Sequence, residues 1–195
     1  MINMSLRRNN HMGFGRLGAQ GVPGAVALTT TLDDLAQVTD PYMTPPERLR
    51  RNLLYLTRSR PGYTYMRDCG IRMDRRMITA WLAEERLPAA KQQQRLEDAF
   101  RLLRRRNMAP SMTRRLNAGG GTRVEIYPVD QSEVGEKHRR TARWRHKNIY
   151  RWDPIVAAWS RSDLHELTHH WHDAITDLDS DWRMYEYVTH LGFGA

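Results

Sequence analysis

Cysteine is almost missing from this 195-residue chain, and the single Cys69 has no partner for an internal disulfide. Its place at the end of an apolar helix face reads as a small buried residue, suited to a reducing cytoplasm. Long apolar runs are missing too: none approaches the roughly 20 residues that span a bilayer, so no membrane partner is expected. Met1 to Val26 lacks the continuous apolar core of a signal peptide and reads as a mobile basic tail, taken as residues 1–29. There is no repeat. Acidic residues are short against basic ones, 22 Asp+Glu to 31 Lys+Arg, giving a net charge of +9. That balance predicts attraction to polyanions, nucleic acid foremost. A basic but ordinary enzyme has the same balance, so charge alone does not decide the class. Hydrophobic residues make up 40% of the chain, enough for compact cores in one domain or two small ones.

What is present centres on residues 69–82. Gly70 supplies a sharp turn after a short helix, and Ile71 can tuck into the angle between two helices. Asp74 suits an N-cap, because its side chain accepts from the free N–H groups of the next turn. Ile78, Trp81 and Leu82 then fall on one helical face, with Arg75, Arg76 and Thr79 on the other. This is the pattern of a helix-turn-helix whose second helix enters a major groove, with Arg72, Arg75, Arg76 and Thr79 as DNA contacts.

The surrounding sequence supplies the rest of a helical unit, residues 30–107. Thr30 to Leu35 reads as a short helix capped by threonine. Pro45 and Pro46 suit the start of a stronger helix, where a missing N–H costs nothing. Leu49, Leu53, Leu54 and Leu56 give it an apolar stripe, and Pro61-Gly62 turns the chain into Tyr63 to Cys69. Ala89 to Asn107 reads as a long amphipathic helix with Leu96, Phe100 and Leu103 inward. Arg104, Arg105 and Arg106 at its end fit phosphate contacts, which position a protein on DNA without reading sequence; a solvated helix face carries the same charges.

Residues 108–121, with Pro110 and three consecutive glycines, read as a linker. Residues 122–195 then change character, toward a small α+β domain of about three strands and two helices. Thr122 to Tyr127 and Ala142 to Tyr150 alternate as strands do. Asp153-Pro154 opens a short helix, Ser160 to Ile175 forms another, and Trp182 to His190 closes as a strand. Trp144, Arg145, Tyr150, Arg151 and Trp152 interleave aromatics with bases, as single-strand binders do, although aromatics on an alternating strand are commonly core. The fold class expected is therefore α+β, a helical helix-turn-helix unit followed by an α+β one.

His165-Glu166-Leu167-Thr168-His169 matches H-E-x-x-H, which sets two imidazoles one helical turn apart with a carboxylate between them to activate a zinc-bound water. Against it, Asp163 and Glu166 form a capping box that occupies the glutamate. The third ligand is unassigned, with Glu186 and His190 available by position alone. No metal and no other cofactor is expected, and His165 and His169 are the fallback pair.

The order of elements from about Leu32 onward resembles the telomere-protecting terminal proteins of linear actinobacterial chromosomes and plasmids. The resemblance rests on the opening helix Arg48 to Leu56, on Cys69-Gly70-Ile71 with Arg75 to Leu82, and on the long helix ending Leu102 to Arg106. The Gly-rich turn before Thr122 to Tyr127 and the last strand near Trp182 to Val188 complete it. It implies a protein primer: a side-chain hydroxyl on which a polymerase places the first nucleotide. In the family the acceptor is a threonine after the first strand of the C-terminal domain, ahead of an acidic and then a basic stretch. The matching stretch is Asp130-Gln131-Ser132-Glu133 followed by Lys137 to Arg140, so Ser132 is the candidate acceptor and Thr141 the runner-up. Such a protein is a substrate, not an enzyme. The partners implied are DNA, telomeric or operator-like, with a DNA polymerase, a telomere-associated protein and a second copy of the chain (a homodimer) as further candidates. The location implied is cytoplasmic and nucleoid-associated. A helix-turn-helix transcriptional regulator and a zinc-dependent hydrolase are the competing classes.

Overall fold

A computed structural model describes residues 14–72, 74–176, 178 and 185–194. Among them the chain forms seven helices and a four-stranded antiparallel sheet in the order β1-β4-β2-β3. The strands are β1 (Val22–Pro23), β2 (Thr122–Pro128), β3 (Arg145–Ile149) and β4 (Tyr187–Phe193). The helices are α1 (Gly24–Leu35), α2 (Pro45–Thr57), α3 (Arg60–Asp68), α4 (Arg75–Leu82), α5 (Ala90–Asn117), α6 (Asp153–Ser160) and α7 (Leu164–Ile175). No helix among the described residues is long and apolar enough to cross a membrane.

Two separate cores form. One joins Leu53 and Leu56 of α2, Met66 of α3, Ile78 and Trp81 of α4, and Leu96, Phe100 and Leu103 from the first half of α5. The other gathers the inner sheet residues Val124, Ile126, Val188 and Leu191 under α1, α6 and α7, with Met112 and Leu116 from the last turns of α5. Each core buries apolar surface worth roughly 25 cal/mol per Å² removed from water. The shared element is α5, whose 28 residues extend about 42 Å at the usual helical rise.

This overturns the linker expected over 108–121. Pro110 lies inside α5, where a missing N–H and a ring clash cost about 3 kcal/mol. Burial of Leu103 before it and of Met112 and Leu116 after it holds the helix together. The glycines stop it instead. Gly121 takes φ +113°, and a Cβ there would collide with the Ile149 carbonyl oxygen on β3, so the turn demands glycine.

The expected tail, 1–29, is corrected as well. Within it, Gln20 exchanges two backbone hydrogen bonds with Asp130 at 2.9 Å, Val22 and Pro23 pair with β4, and α1 begins at Gly24. Ala25, Leu28 and Leu32 give that helix an apolar face buried in the second core. Residues 30–35 therefore pack on the sheet and not with the helix-turn-helix. The closing strand is displaced: β4 starts at Tyr187, and Trp182 lies outside the described residues.

Candidate nucleic-acid interface

The helix-turn-helix is assembled by local capping. Glu47 accepts from the backbone N–H and hydroxyl of Thr44 at 2.8 and 2.7 Å, closing the start of α2; those bonds hold the Glu47 carboxyl below the usual range. The Ser59 hydroxyl accepts from the Gly62 N–H at 3.3 Å, opening α3. After α3, Gly70 takes φ +79° and the Ile71 N–H donates back to the Met66 carbonyl at 2.9 Å. That bond draws Ile71 inward, where it is 3% exposed. Arg95 of α5 donates to the Gly70 carbonyl at 2.8 Å and fastens the turn. Cys69 is half-buried, and burial pushes its thiol pKa up, with Asp98 and Asp68 adding to it.

Asp74 then caps α4, accepting from the Arg76 N–H at 2.9 Å. Ile78 and Trp81 are buried while Arg72, Arg75, Arg76 and Thr79 are exposed. The Thr79 hydroxyl donates to the Arg75 carbonyl at 2.9 Å. Among the described residues no carboxylate pairs with Arg72, Arg75 or Arg76. The result is a short, firmly docked helix presenting a compact basic face.

The arginine cluster on α5 behaves differently. Arg105 is 5% exposed and donates twice to the Asp33 carboxylate of α1, at 2.7 and 2.6 Å. A third bond runs to the Ser162 hydroxyl at 2.8 Å, and the Trp159 indole N–H donates to Asp33 at 2.9 Å. A buried guanidinium is tolerated only when its donors are met in this way. Arg105 is therefore not a DNA contact but the polar centre joining α5 to α1 and α6. Arg104 is half-buried, its Nε–H donating to the Ala36 carbonyl at 2.9 Å. Arg106 alone of the three is exposed.

Ser132 and Thr141 are brought onto one loop system. The Gln131 amide donates to the Arg140 carbonyl at 2.9 Å and accepts from the Arg140 N–H at 2.8 Å. Arg139 donates to the carbonyls of Ser132 and Val134, and Val134 is buried. The loop is thus tied down, where the absence of apolar periodicity over Val129 to Glu136 and the presence of Gly135 predict an exposed and mobile one. Both hydroxyl residues remain exposed. The Ser132 N–H donates to Asp130 at 2.8 Å, and this bond, with one from the Ser132 hydroxyl, holds the Asp130 carboxyl below its ordinary pKa.

The histidine motif occupies the first turns of α7. Leu167 and Trp171 point into the core while His165 and His169 are exposed. Asp163 caps the helix through the Glu166 N–H at 3.0 Å. The Glu166 carboxylate does not reach back to close the box; it pairs with Arg161 at 2.6 Å. His169 Nε2 lies 3.6 Å from Asp173. Among the described residues no cluster of three His, Cys, Asp or Glu side chains is arranged to hold a metal ion.

The aromatics near β3 divide. Trp152 is fully buried in the second core, while Trp144 and Tyr150 are 44% and 67% exposed. Sequence reading missed that Tyr127 and His190 stack, with ring centroids 4.0 Å apart. Strand alternation marks each residue's face, but only the cross-strand register brings these two together. Comparison with protein-family models, curated proteins and solved structures finds no match for this chain.

Proposed function

We propose that this protein binds double-stranded DNA through α4 and serves as a terminal-protein primer at the ends of a linear replicon. The observation that carries the DNA-binding half is the exposed Arg72, Arg75, Arg76 and Thr79 face on a helix locked from behind by Ile78 and Trp81. An arginine on such a face can reach guanine O6 and N7 together, or a phosphate. The priming half rests on the resemblance to terminal proteins and is supported by the exposure of Ser132 and Thr141 on one loop system.

In the priming step the Ser132 Oγ attacks the α-phosphorus of a deoxynucleoside triphosphate. A phosphoester bond forms, the bond to the bridging oxygen breaks, pyrophosphate leaves, and the hydroxyl proton passes to a base of the polymerase. An unassisted serine hydroxyl is a weak nucleophile, so activation comes from the polymerase and its metal ions. Arg139 and Asp130 hold the serine backbone in place.

Two measurements test the two halves. In a salt titration on cognate duplex, Arg75→Ala or Arg76→Ala should cost about 1–3 kcal/mol if the contact is bidentate to guanine, or flatten the salt slope if it is to phosphate. Unchanged binding in both variants refutes the α4 assignment. Incubation with the cognate polymerase, telomeric DNA and a labelled deoxynucleotide should leave label on the denatured chain. Loss of label in Ser132→Ala identifies the acceptor, loss only in Thr141→Ala moves it, and no adduct at all favours a transcriptional regulator.

A further inference from the structure

A cleft of about 430 Å³ opens between α2, α5 and the segment 37–43 that follows α1. A hollow of about 320 Å³ adjoins it, and the two share Asp40, Arg51 and Phe100. Every residue lining them is among those described. The 12 residues of α1, about 18 Å at the usual rise, separate the cleft from the Pro23–Tyr187 pair on which Phe14 stacks. It lies where the two cores meet. Arg51 of α2 donates to the Val38 carbonyl at 3.2 Å, and Arg104 of α5 donates to the Ala36 carbonyl; both acceptors belong to residues of the second core.

Three guanidiniums converge there with little to balance them. Arg51 lies over the Phe100 ring at 4.7 Å and Arg104 over the Tyr55 ring at 5.7 Å. Their hydrogen bonds, to the two carbonyls and to Asn52, use the Nε of each and Nη2 of Arg51. Arg51 Nη1 and both Nη of Arg104 have no hydrogen-bond partner among the described residues. Arg48, beside the adjoining hollow, has a buried Nε with no partner either. Burial pushes the Arg51 pKa down; Asp40 opposes this, and the charges of Arg48 and Arg104 deepen it. Among the described residues no carboxylate forms an ion pair with any of the three. Asp40 is the one acid on the main cleft, and one of its oxygens accepts from the Tyr42 N–H at 3.0 Å. Asp34 and Glu97 border only the hollow, and Asp34 accepts from the Thr39 hydroxyl. Tying the two units together accounts for the bonds to the carbonyls. It does not account for like charges gathered around an open cleft.

An anion with more than one charge answers this arrangement. A phosphate monoester brings close to two negative charges and three acceptor oxygens, where a carboxylate brings one charge. Inorganic phosphate would leave most of the cleft unfilled. The rest of the lining is largely aromatic, from the buried Phe100 to the Tyr42 ring, which is 94% exposed. A lone exposed aromatic needs no explanation, but beside an anion site it gives a base a face on which to stack. We infer that this cleft binds a nucleoside 5′-monophosphate, its phosphate on Arg51 and Arg104 and its base against Tyr42. The site shares no residue with α4 or with the Ser132 loop and rests on neither assignment.

The test is isothermal titration calorimetry on the full chain with the 5′-monophosphates of adenosine, guanosine, cytidine and uridine. The four nucleosides and inorganic phosphate give the comparison arms. At least one monophosphate should bind at one site per chain with a Kd below about 1 mM, and about ten-fold or more tighter than its nucleoside or inorganic phosphate. Arg51→Gln/Arg104→Gln keeps a donor for each backbone carbonyl and should weaken binding by about a hundred-fold, since each charged hydrogen bond lost costs roughly ten-fold or more. Tyr42→Ala removes an exposed ring, leaves both cores intact and should weaken binding by about ten-fold. Arg106→Gln and Arg75→Ala/Arg76→Ala should bind nucleotide as wild type, so failure of the α4 assignment and failure of this one are read separately. The inference is overturned if no monophosphate binds, or if the nucleoside or inorganic phosphate binds as tightly. It is equally overturned if Tyr42→Ala, or a folded Arg51→Gln/Arg104→Gln, binds as wild type, or if Arg106→Gln loses as much. Displacement of the nucleotide by a short duplex would overturn it too, by assigning these arginines to the DNA backbone.

Discussion

Replacing Arg105 by methionine removes a guanidinium whose three hydrogen bonds all lie inside the molecule. The change leaves Asp33, 7% exposed, with the Trp159 indole as its remaining side-chain donor. Losing one partner of a buried pair costs about 3–5 kcal/mol, because an uncompensated charge stays behind in a medium that solvates it poorly. For a chain of this size each kcal/mol moves the melting temperature by about 2–4 °C, so a fall of roughly 6–20 °C is expected. Arg105→Lys keeps the charge but not the fork that meets both carboxylate oxygens, and should fall between the two. Arg105→Met/Asp33→Leu removes both charges and should recover much of the loss, giving a large coupling in the double-mutant cycle. The exposed neighbour supplies the control, since Arg106→Ala should change stability by no more than about 0.5 kcal/mol. Chemical and thermal denaturation followed by circular dichroism measure the wild type, these four variants and Asp33→Leu alone, which closes the cycle. A cost for Arg105→Met below about 1 kcal/mol, the worth of an exposed pair, refutes the reasoning. So does a variant of full stability that has lost affinity for DNA.

Two further outcomes follow from positions already described. Gly121→Ala forces a side chain into φ +113° against the β3 backbone and should destabilise by about 2 kcal/mol or more. Gly135→Ala meets nothing within 4 Å and has an ordinary φ of −59°, so it should be neutral or slightly stabilising; equal effects would contradict the turn assignment. Hydrogen bonds from Ser132 depress the Asp130 pKa, so the turn they form persists above the usual aspartate range and is lost only as pH falls through the lowered value. The Ser132 amide shift in an NMR titration should report that low midpoint, moving part of the way back in Ser132→Ala. A midpoint at or above the ordinary value contradicts the bond.

Where structure is encoded locally, the residues state it. Pro45-Pro46 and Asp74 mark the starts of α2 and α4, and the fold keeps both. Ile71, Ile78 and Trp81 occupy the buried positions their spacing demands. Thr122 to Tyr127 and the run through Arg145 to Ile149 become paired strands. What sequence hides is decided at long range. Pro110 ends a helix by its own chemistry, yet burial on both sides keeps α5 continuous. Arg105 looks like its neighbours until Asp33, 72 residues away in sequence, claims it. The stack of Tyr127 on His190 depends on a β2–β4 register that shifts beside Tyr127, and no window of sequence contains both strands.

Because one helix is built into both cores, α4 and the sheet are held in a fixed rotational phase. Each residue of α5 contributes about 100° of turn and 1.5 Å of advance between them. One residue inserted between Phe100 and Met112 would swing α4 and the sheet apart by more than a quarter turn and also pull Arg105 off Asp33. Length in this segment is therefore constrained more tightly than identity. An exposed residue such as Arg106 can vary freely, but its omission cannot be absorbed.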